Sequence, residues 1–227
     1  MRKAIQNYRH DALAEEHYSY LTTDENDAKS TEVTRTAPLA GAPYERLVSR
    51  DGKPLTPEQQ EREDAKYNSA KRARQNQTPA ERERQRRKRR SETKFLDDVP
   101  DAFDFQLLRK EVVNGRSSYV VKASPKPGFE AHDVKGRMFS NIEATIWIDA
   151  REYRMAKAEA EVTGTIAVGW FMARIGKGGH FELTQTRVAE NLWFPEEIDV
   201  SGKARILLVD RKSLDEKITF SDYRVAK

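Results

Sequence analysis

Ala156-Lys157-Ala158-Glu159-Ala160-Glu161-Val162 alternates small apolar and charged side chains without a break. Side chains of a β-strand point to opposite faces in turn, so Ala156, Ala158, Ala160 and Val162 share one face and Lys157, Glu159 and Glu161 the other. The run reads as a strand of an antiparallel sheet with one face in water and the other against something apolar. The same period continues in Ile166, Val168, Trp170 and Met172, then in Phe181 and Leu183, Trp193, and Ile206 with Leu208; upstream, residues 142–149 add Ile146 and Ile148.

Working outward, residues 105–113 and 117–124 flank Asn114-Gly115, whose two residues tolerate the positive φ of a two-residue hairpin turn. Further strands are expected at 142–149, 153–162, 165–175, 181–188, 192–200, 203–209 and 217–223. Their separators are turn-like: Asp149-Ala150-Arg151-Glu152, Gly176-Lys177-Gly178-Gly179, read as a hairpin turn, and Ala189-Glu190-Asn191. Strands joined by short turns make an antiparallel meander. At the other end, Ile5, Tyr8, Ala12 and Leu13 fall at helical spacing over 2–16, leading into a strand at 17–23; 31–39 and 44–50 are short strand candidates, closed by the turn Asp51-Gly52-Lys53-Pro54.

Between the two halves lies a segment of a different kind. Residues 56–98 hold almost nothing apolar, and both Thr56-Pro57-Glu58-Gln59 and Thr78-Pro79-Ala80-Glu81 set a capping Thr before a Pro at the first helical position. Two helices, 57–75 and 79–96, are expected to form an antiparallel hairpin around Gln75-Asn76-Gln77. Neither has the continuous apolar stripe of a core helix. This segment accounts for the excess of charge, 34% of 227 residues against 37% hydrophobic, and locates the packed part of the chain largely after Phe103.

Composition excludes several chemistries. Without cysteine there is no disulfide, thiolate nucleophile or cysteine-ligated metal. His10, His17, His132 and His180 are scattered without metal-ligand spacing, and no nucleophile-elbow, Walker or dinucleotide-binding motif occurs, so neither catalysis nor a cofactor or metal is expected. No stretch approaches the roughly 18 apolar residues of a membrane-spanning helix. The 41 basic and 37 acidic residues nearly cancel, so only local clustering could argue a polyanionic partner.

Two features could carry binding. The apolar sheet face needs a cover, and the chain supplies little apolar helix; either the sheet rolls up around an ordinary closed core, or part of its face accepts a ligand with an apolar surface of its own. The run from Arg82 to Arg90 clusters guanidinium groups that could meet anionic headgroups or nucleic acid. The competing expectation is a solvated helix surface neutralised across the hairpin by Glu58, Glu61, Glu63 and Asp64.

The stretch Asn114-Gly115-Arg116-Ser117-Ser118-Tyr119-Val120-Val121-Lys122-Ala123-Ser124-Pro125-Lys126-Pro127-Gly128-Phe129, followed by Ile146-Trp147-Ile148-Asp149 and Leu192-Trp193-Phe194-Pro195, resembles the outer-membrane lipoprotein-sorting proteins of the LolA/LolB-like superfamily. The resemblance covers roughly residues 44–223, including Pro43-Tyr44-Glu45-Arg46-Leu47-Val48. It implies a mainly β (α+β) fold, a strongly curved antiparallel sheet forming an unclosed half-barrel whose apolar concavity shields acyl chains. It also implies periplasmic residence and no enzymatic activity. The charged 57–96 insert departs from the fairly apolar helical lid of that family, so no lid-latching residue is carried over.

The resulting expectation is one domain, 1–227, with a charged helical insert at 56–98 and a short N-terminal helix, soluble and periplasmic after removal of an export signal. Lipid or lipoprotein acyl chains would bind Ile146, Ile148, Ala156, Ala158, Ala160, Val162, Trp170, Phe181, Leu183, Trp193, Ile206 and Leu208. A membrane partner protein could donate or accept the cargo. The alternatives are an envelope sensor or scaffold of the same fold that binds a protein, and an anionic-surface or nucleic-acid binder acting through Arg84, Arg86, Arg87, Arg89 and Arg90; a nucleic-acid partner is disfavoured.

Overall fold

The computed structural model describes residues 1–26, 30–132, 135–168, 173–206 and 210–226. Helix α1 (Arg2–Glu15) precedes β1 (Tyr18–Glu25), β2 (Thr31–Leu39), β3 (Ala42–Arg50) and the two-residue β4 (Lys53–Pro54). Helices α2 (Pro57–Gln75) and α3 (Pro79–Glu92), a 3₁₀ turn (Lys94–Asp97) and the one-turn α4 (Val99–Ala102) follow. The second half comprises β5 (Phe103–Val113), β6 (Arg116–Pro125), a 3₁₀ segment (Lys135–Asn141), β7 (Ile142–Asp149), β8 (Met155–Val162), β9 (Ile166–Val168), β10 (Ala173–Ile175), β11 (His180–Ala189), β12 (Leu192–Ile206) and β13 (Asp210–Val225).

All strands belong to one antiparallel sheet in the order β4-β3-β2-β1-β13-β12-β11-β8-β7-β6-β5, with β9 and β10 branching from β12. The sheet is a half-barrel that does not close: β4 and β5 are its two edges, and they are consecutive strands in the chain. The helical segment between them therefore has to carry the backbone from one edge of the sheet to the other. Bulges at Ser19/Leu21, Leu107/Arg109, Trp147/Ile148 and Thr184/Gln185 sharpen the local twist.

Local chemistry explains most of these elements. Asn114 and Gly115 take φ of 48° and 74°, the positive values that a two-residue turn between β5 and β6 requires. Thr56 and Thr78 each close a capping box, with Gln59 and Glu81, so four backbone N–H groups at the starts of α2 and α3 find partners.

The structure revises several expectations. The strand expected at 165–175 is two antiparallel strands, β9 and β10, paired with each other, because alternation alone does not mark a change of chain direction. The strands expected at 192–200 and 203–209 are one continuous β12 as far as Ile206, residues 207–209 lying outside the described residues. Gly202 lies within it rather than ending it, and a Cβ there would sit 2.9 Å from the Gly179 Cα, so glycine permits that close crossing. Gly176 to Gly179 is a turn but not a hairpin turn: it joins β10 to β11, which are not neighbours, and it bonds to Val162 through Gly178 N–H to Val162 O (2.8 Å) and Val162 N–H to Gly179 O (2.8 Å). The second helix stops at Glu92, where the chain tightens so that Phe95 can pack on Phe139, ring centroids 5.9 Å apart. The N-terminal strands join the same sheet, β1 pairing with β13.

Candidate functional site

Strand register decides which side chains share a face, since directly paired residues of antiparallel strands point the same way. One row runs Ala123, Ala144, Ala160, Phe181, Val200 across five strands. The next runs Val121, Ile146, Ala158, Leu183, Ile198, Ile218 across six. Beyond it, Phe220 pairs with Thr22 on the same face, two residues from Tyr20. On β8, β11, β12 and β13 the alternate positions are charged: Lys157 Nζ lies 2.7 Å from Glu159 and 2.9 Å from Glu182, and Lys217 Nζ lies 2.9 Å from Glu197, whereas on β6 and β7 the same face holds the buried Val120 and Trp147.

The apolar face is closed at three places. Over β6 and β7, Phe95, Val99, Phe103, Phe139 and Met138 pack around Ala123, Ala144 and Ile146. At one end, Ile166 and Ile175 of the β9–β10 branch cluster with Val162. The opposite end is sealed by α1: the Arg154 guanidinium forks onto Asp11 (Nε–Oδ2 2.8 Å, Nη2–Oδ1 3.2 Å), both groups being buried. There Arg116 Nε donates to Asp149 Oδ2 (2.7 Å), and Trp193 Nε1 donates to Glu152 Oε2 (2.8 Å). Val200 packs against the β9–β10 cluster, and between these covers Ala158, Ala160, Phe181, Ile198, Ile218 and Phe220 stay only partly buried. Alanines opposite bulky side chains make this stretch of the apolar face, across β8, β11, β12 and β13, the candidate trough.

The residues singled out from the sequence thus divide. Ile146, Ala158, Ala160, Phe181 and Leu183 come together on the trough face, Leu183 buried at its floor with 7% exposure. Ile148, Ala156, Val162 and Trp193 are buried in the closed ends, with Trp193 under the Arg116 guanidinium at 5.5 Å. Trp170 and Leu208 lie outside the described residues, and Ile206 is placed by its backbone alone, opposite Asp210. Sequence reasoning missed Ile198, Val200, Ile218 and Phe220. The bulge between Thr184 and Gln185 puts an extra residue into β12, so Pro195 and Ile198 share a face and simple alternation misleads. Glu15 was missed too. Burial pushes its carboxyl up to about 7, against a hydrogen bond from Tyr20, and it stands at the α1 end beside Tyr20 and Tyr223.

The two helices do not lie over the trough, nor do they pack along each other as the expected antiparallel hairpin: α2 contacts β3, and α3 is tied to the end of α1 through Arg89 and Glu16. Tyr67 of α2 packs edge-on against Tyr44 (5.6 Å), Asp64 pairs with Arg46, and Arg74 donates to the carbonyls of Leu39, Ala42 and Pro43. Tyr44 pairs with Ala37 and Arg46 with Arg35, which pairs with Leu21, so α2 rests on the face opposite Tyr20 and Thr22. A cavity of about 450 Å³ lined by Ala37, Leu39, Tyr44, Leu55 and Tyr67 separates it from β2 and β3.

Nor do the acidic residues of α2 neutralise α3. Glu63 binds Lys66 (2.6 Å), Asp64 binds Arg46, and Glu58 accepts from Thr56 Oγ1 (2.8 Å); the expected pairing across the hairpin is absent among the described residues. Within α3, Arg87 pairs with Glu83 and Arg89 with Glu16 of the segment after α1, while Arg82, Arg84, Arg86, Lys88 and Arg90 are exposed and form no ion pair among the described residues. Among the described residues no group of three or more His, Asp or Glu is placed to hold a metal ion, and no helix is long and apolar enough to cross a membrane.

An open antiparallel half-barrel with one half-covered apolar face is the class that fold and site define. No family model matches the chain, and no curated protein does. Solved structures similar to it include a Vibrio parahaemolyticus domain described as an outer membrane lipoprotein-sorting protein domain (11% identity, TM-score 0.35, covering 98% of this chain and 92% of that one). A LolA superfamily protein from Nitrosomonas europaea is 9% identical with the same TM-score, covering 100% and 93%. The Pseudomonas aeruginosa MucA/MucB complex is 10% identical at TM-score 0.25, covering 99% of each chain.

Proposed function

We propose that the trough face of β8, β11, β12 and β13 binds an acyl chain of a lipid or lipoprotein in the bacterial periplasm, without catalysis. The observation that carries this reading is the pair of apolar rows through Ala160-Phe181-Val200 and Ala158-Leu183-Ile198-Ile218, which the protein's own helices leave half covered although both ends are sealed. Water against such a surface is unfavourable by about 25 cal/mol per Å², and fourteen methylenes laid along it would contribute on the order of 11 kcal/mol before ordering costs. The small side chains of Ala158 and Ala160 supply depth without any cavity being carved from the core. Native mass spectrometry of the purified protein, before and after lipid extraction, tests this. Near-stoichiometric fatty acid or phospholipid supports it; an empty protein that also ignores a fluorescent fatty-acid probe refutes it.

A second reading, capture of a protein partner on the sheet edge, draws on β5. This eleven-residue edge strand exposes Leu107 (61%) and Val112 (69%), and an unpaired edge is a template for an added strand.

A further inference from the structure

We infer that α3 is a docking surface for an anionic phospholipid bilayer, an interaction that goes beyond acyl binding in the trough. Arg82, Arg84, Arg86, Lys88 and Arg90 fall within nine residues, all exposed and none ion-paired among the described residues. On α2, Glu63, Asp64 and Glu58 are engaged with Lys66, Arg46 and Thr56, and within α3 Glu81 caps the helix start while Glu83 pairs with Arg87. No residue of α3 is buried, so core packing accounts for none of this charge. A helix of fourteen residues spans about 21 Å, and at 3.6 residues per turn Arg82, Arg86 and Arg90 fall on one face and Arg84 and Lys88 on the opposite one, so the helix is ringed with charge along its length.

The helix is also held in place. Its start is fixed by the Thr78 and Glu81 capping box, and its last turn is tied to the end of α1 by Arg89 and Glu16 at 2.9 Å. On α1, Leu13 stands between Arg9 and Glu16 in helical spacing, and both neighbours bind the α3 side: Arg9 to Asp97 at 2.6 Å and Glu16 to Arg89. Leu13 is 44% exposed beside the basic helix, where an apolar side chain suits the interface of a bilayer. Nucleic acid shares the phosphate chemistry, but residues 79–92 contain no aromatic side chain on which bases could stack. The occupant this surface fits is therefore the headgroup layer of anionic lipid.

The test is co-sedimentation of the full chain with vesicles of phosphatidylglycerol and phosphatidylcholine in equal parts, against pure phosphatidylcholine, over a series of NaCl concentrations. Binding only to the anionic vesicles, weakening steeply with salt, is expected. Replacing Arg82, Arg84, Arg86 and Lys88 by Gln should weaken it at least about 25-fold, the two that can face the bilayer together being worth roughly fivefold each. The same number of changes at Lys53, Arg174, Lys177 and Lys203 should weaken it less than about tenfold. Equal binding by both quadruple variants, equal binding to neutral vesicles, or retention of duplex DNA in preference to anionic vesicles overturns the assignment. A fluorescent fatty-acid probe run on the same samples reports folding and the trough separately: vesicle binding without probe binding refutes the acyl reading and leaves the role of α3 standing, and the reverse result refutes only α3.

Discussion

The α1 end and the middle of the sheet present the same apolar face and meet opposite fates. At the end, a helix is clamped down by a buried ion pair, Asp11 with Arg154, and Phe194 is fully enclosed by Tyr18 and Tyr223. In the middle, residues of equal apolarity on the same strands have no such cover. The difference teaches that openness here comes from the covering elements and not from the strands. A helix with one buried carboxylate at the right turn seals the face; the charged α2, lacking an apolar stripe, settles on the far side of β3 and leaves it half bare.

The comparison can be broken most severely at the clamp. Asp11→Ala leaves the Arg154 guanidinium buried without its counter-charge, and we expect a loss of about 3–5 kcal/mol in urea unfolding, with the end of the sheet opened. A loss under about 1 kcal/mol would show that α1 does not seal it. Next in size is the effect of pH at Glu15. Its folded carboxyl titrates near 7, above the ordinary value of 4.5, so the folded state holds the proton more tightly than the unfolded chain does. That contribution is complete below pH 4.5 and is lost as pH rises toward 7, up to about 3 kcal/mol. Urea midpoints measured from pH 4.5 to pH 8 should fall accordingly, and Glu15→Gln should flatten the profile.

The open middle predicts a smaller stability effect paired with a large binding effect. Ala158→Trp should change stability by less than about 1 kcal/mol, because the indole can extend into the half-bare trough, yet it should weaken fatty-acid probe binding tenfold or more. In a filled core the same change would cost about 1–3 kcal/mol by overpacking, which unfolding curves would reveal. The smallest effect belongs to the outer face. Lys217→Ala removes an exposed pair with Glu197, and its unfolding midpoint should stay within about 0.5 kcal/mol of the parent, with probe binding unchanged.

Much of the architecture was legible because it rests on local rules. The alternation at 156–162 named the apolar face, Asn114-Gly115 placed the hairpin turn, and Thr-Pro at 56–57 and 78–79 placed two helix starts within a residue. Less of the site could be read. Its β12 members, Ile198 and Val200, depend on a bulge that shifts parity, and a bulge has no clear signature in composition; Ile218 of β13 is brought to the same face by pairing with Ile198.

The sequence alone determined the kinds of element, the period of each strand and the charge of the helical segment, because these follow from side chains a few positions apart. Tertiary structure alone decided where the cover lies. Nothing near Asp11 foretells Arg154, 143 residues away, and nothing around Glu58, Glu63 and Asp64 foretells that these acids turn to Thr56, Lys66 and Arg46 and not to α3. Both outcomes depend on which distant backbone arrives beside a charge, a contact set by the path of the whole sheet and invisible to any window of neighbouring residues.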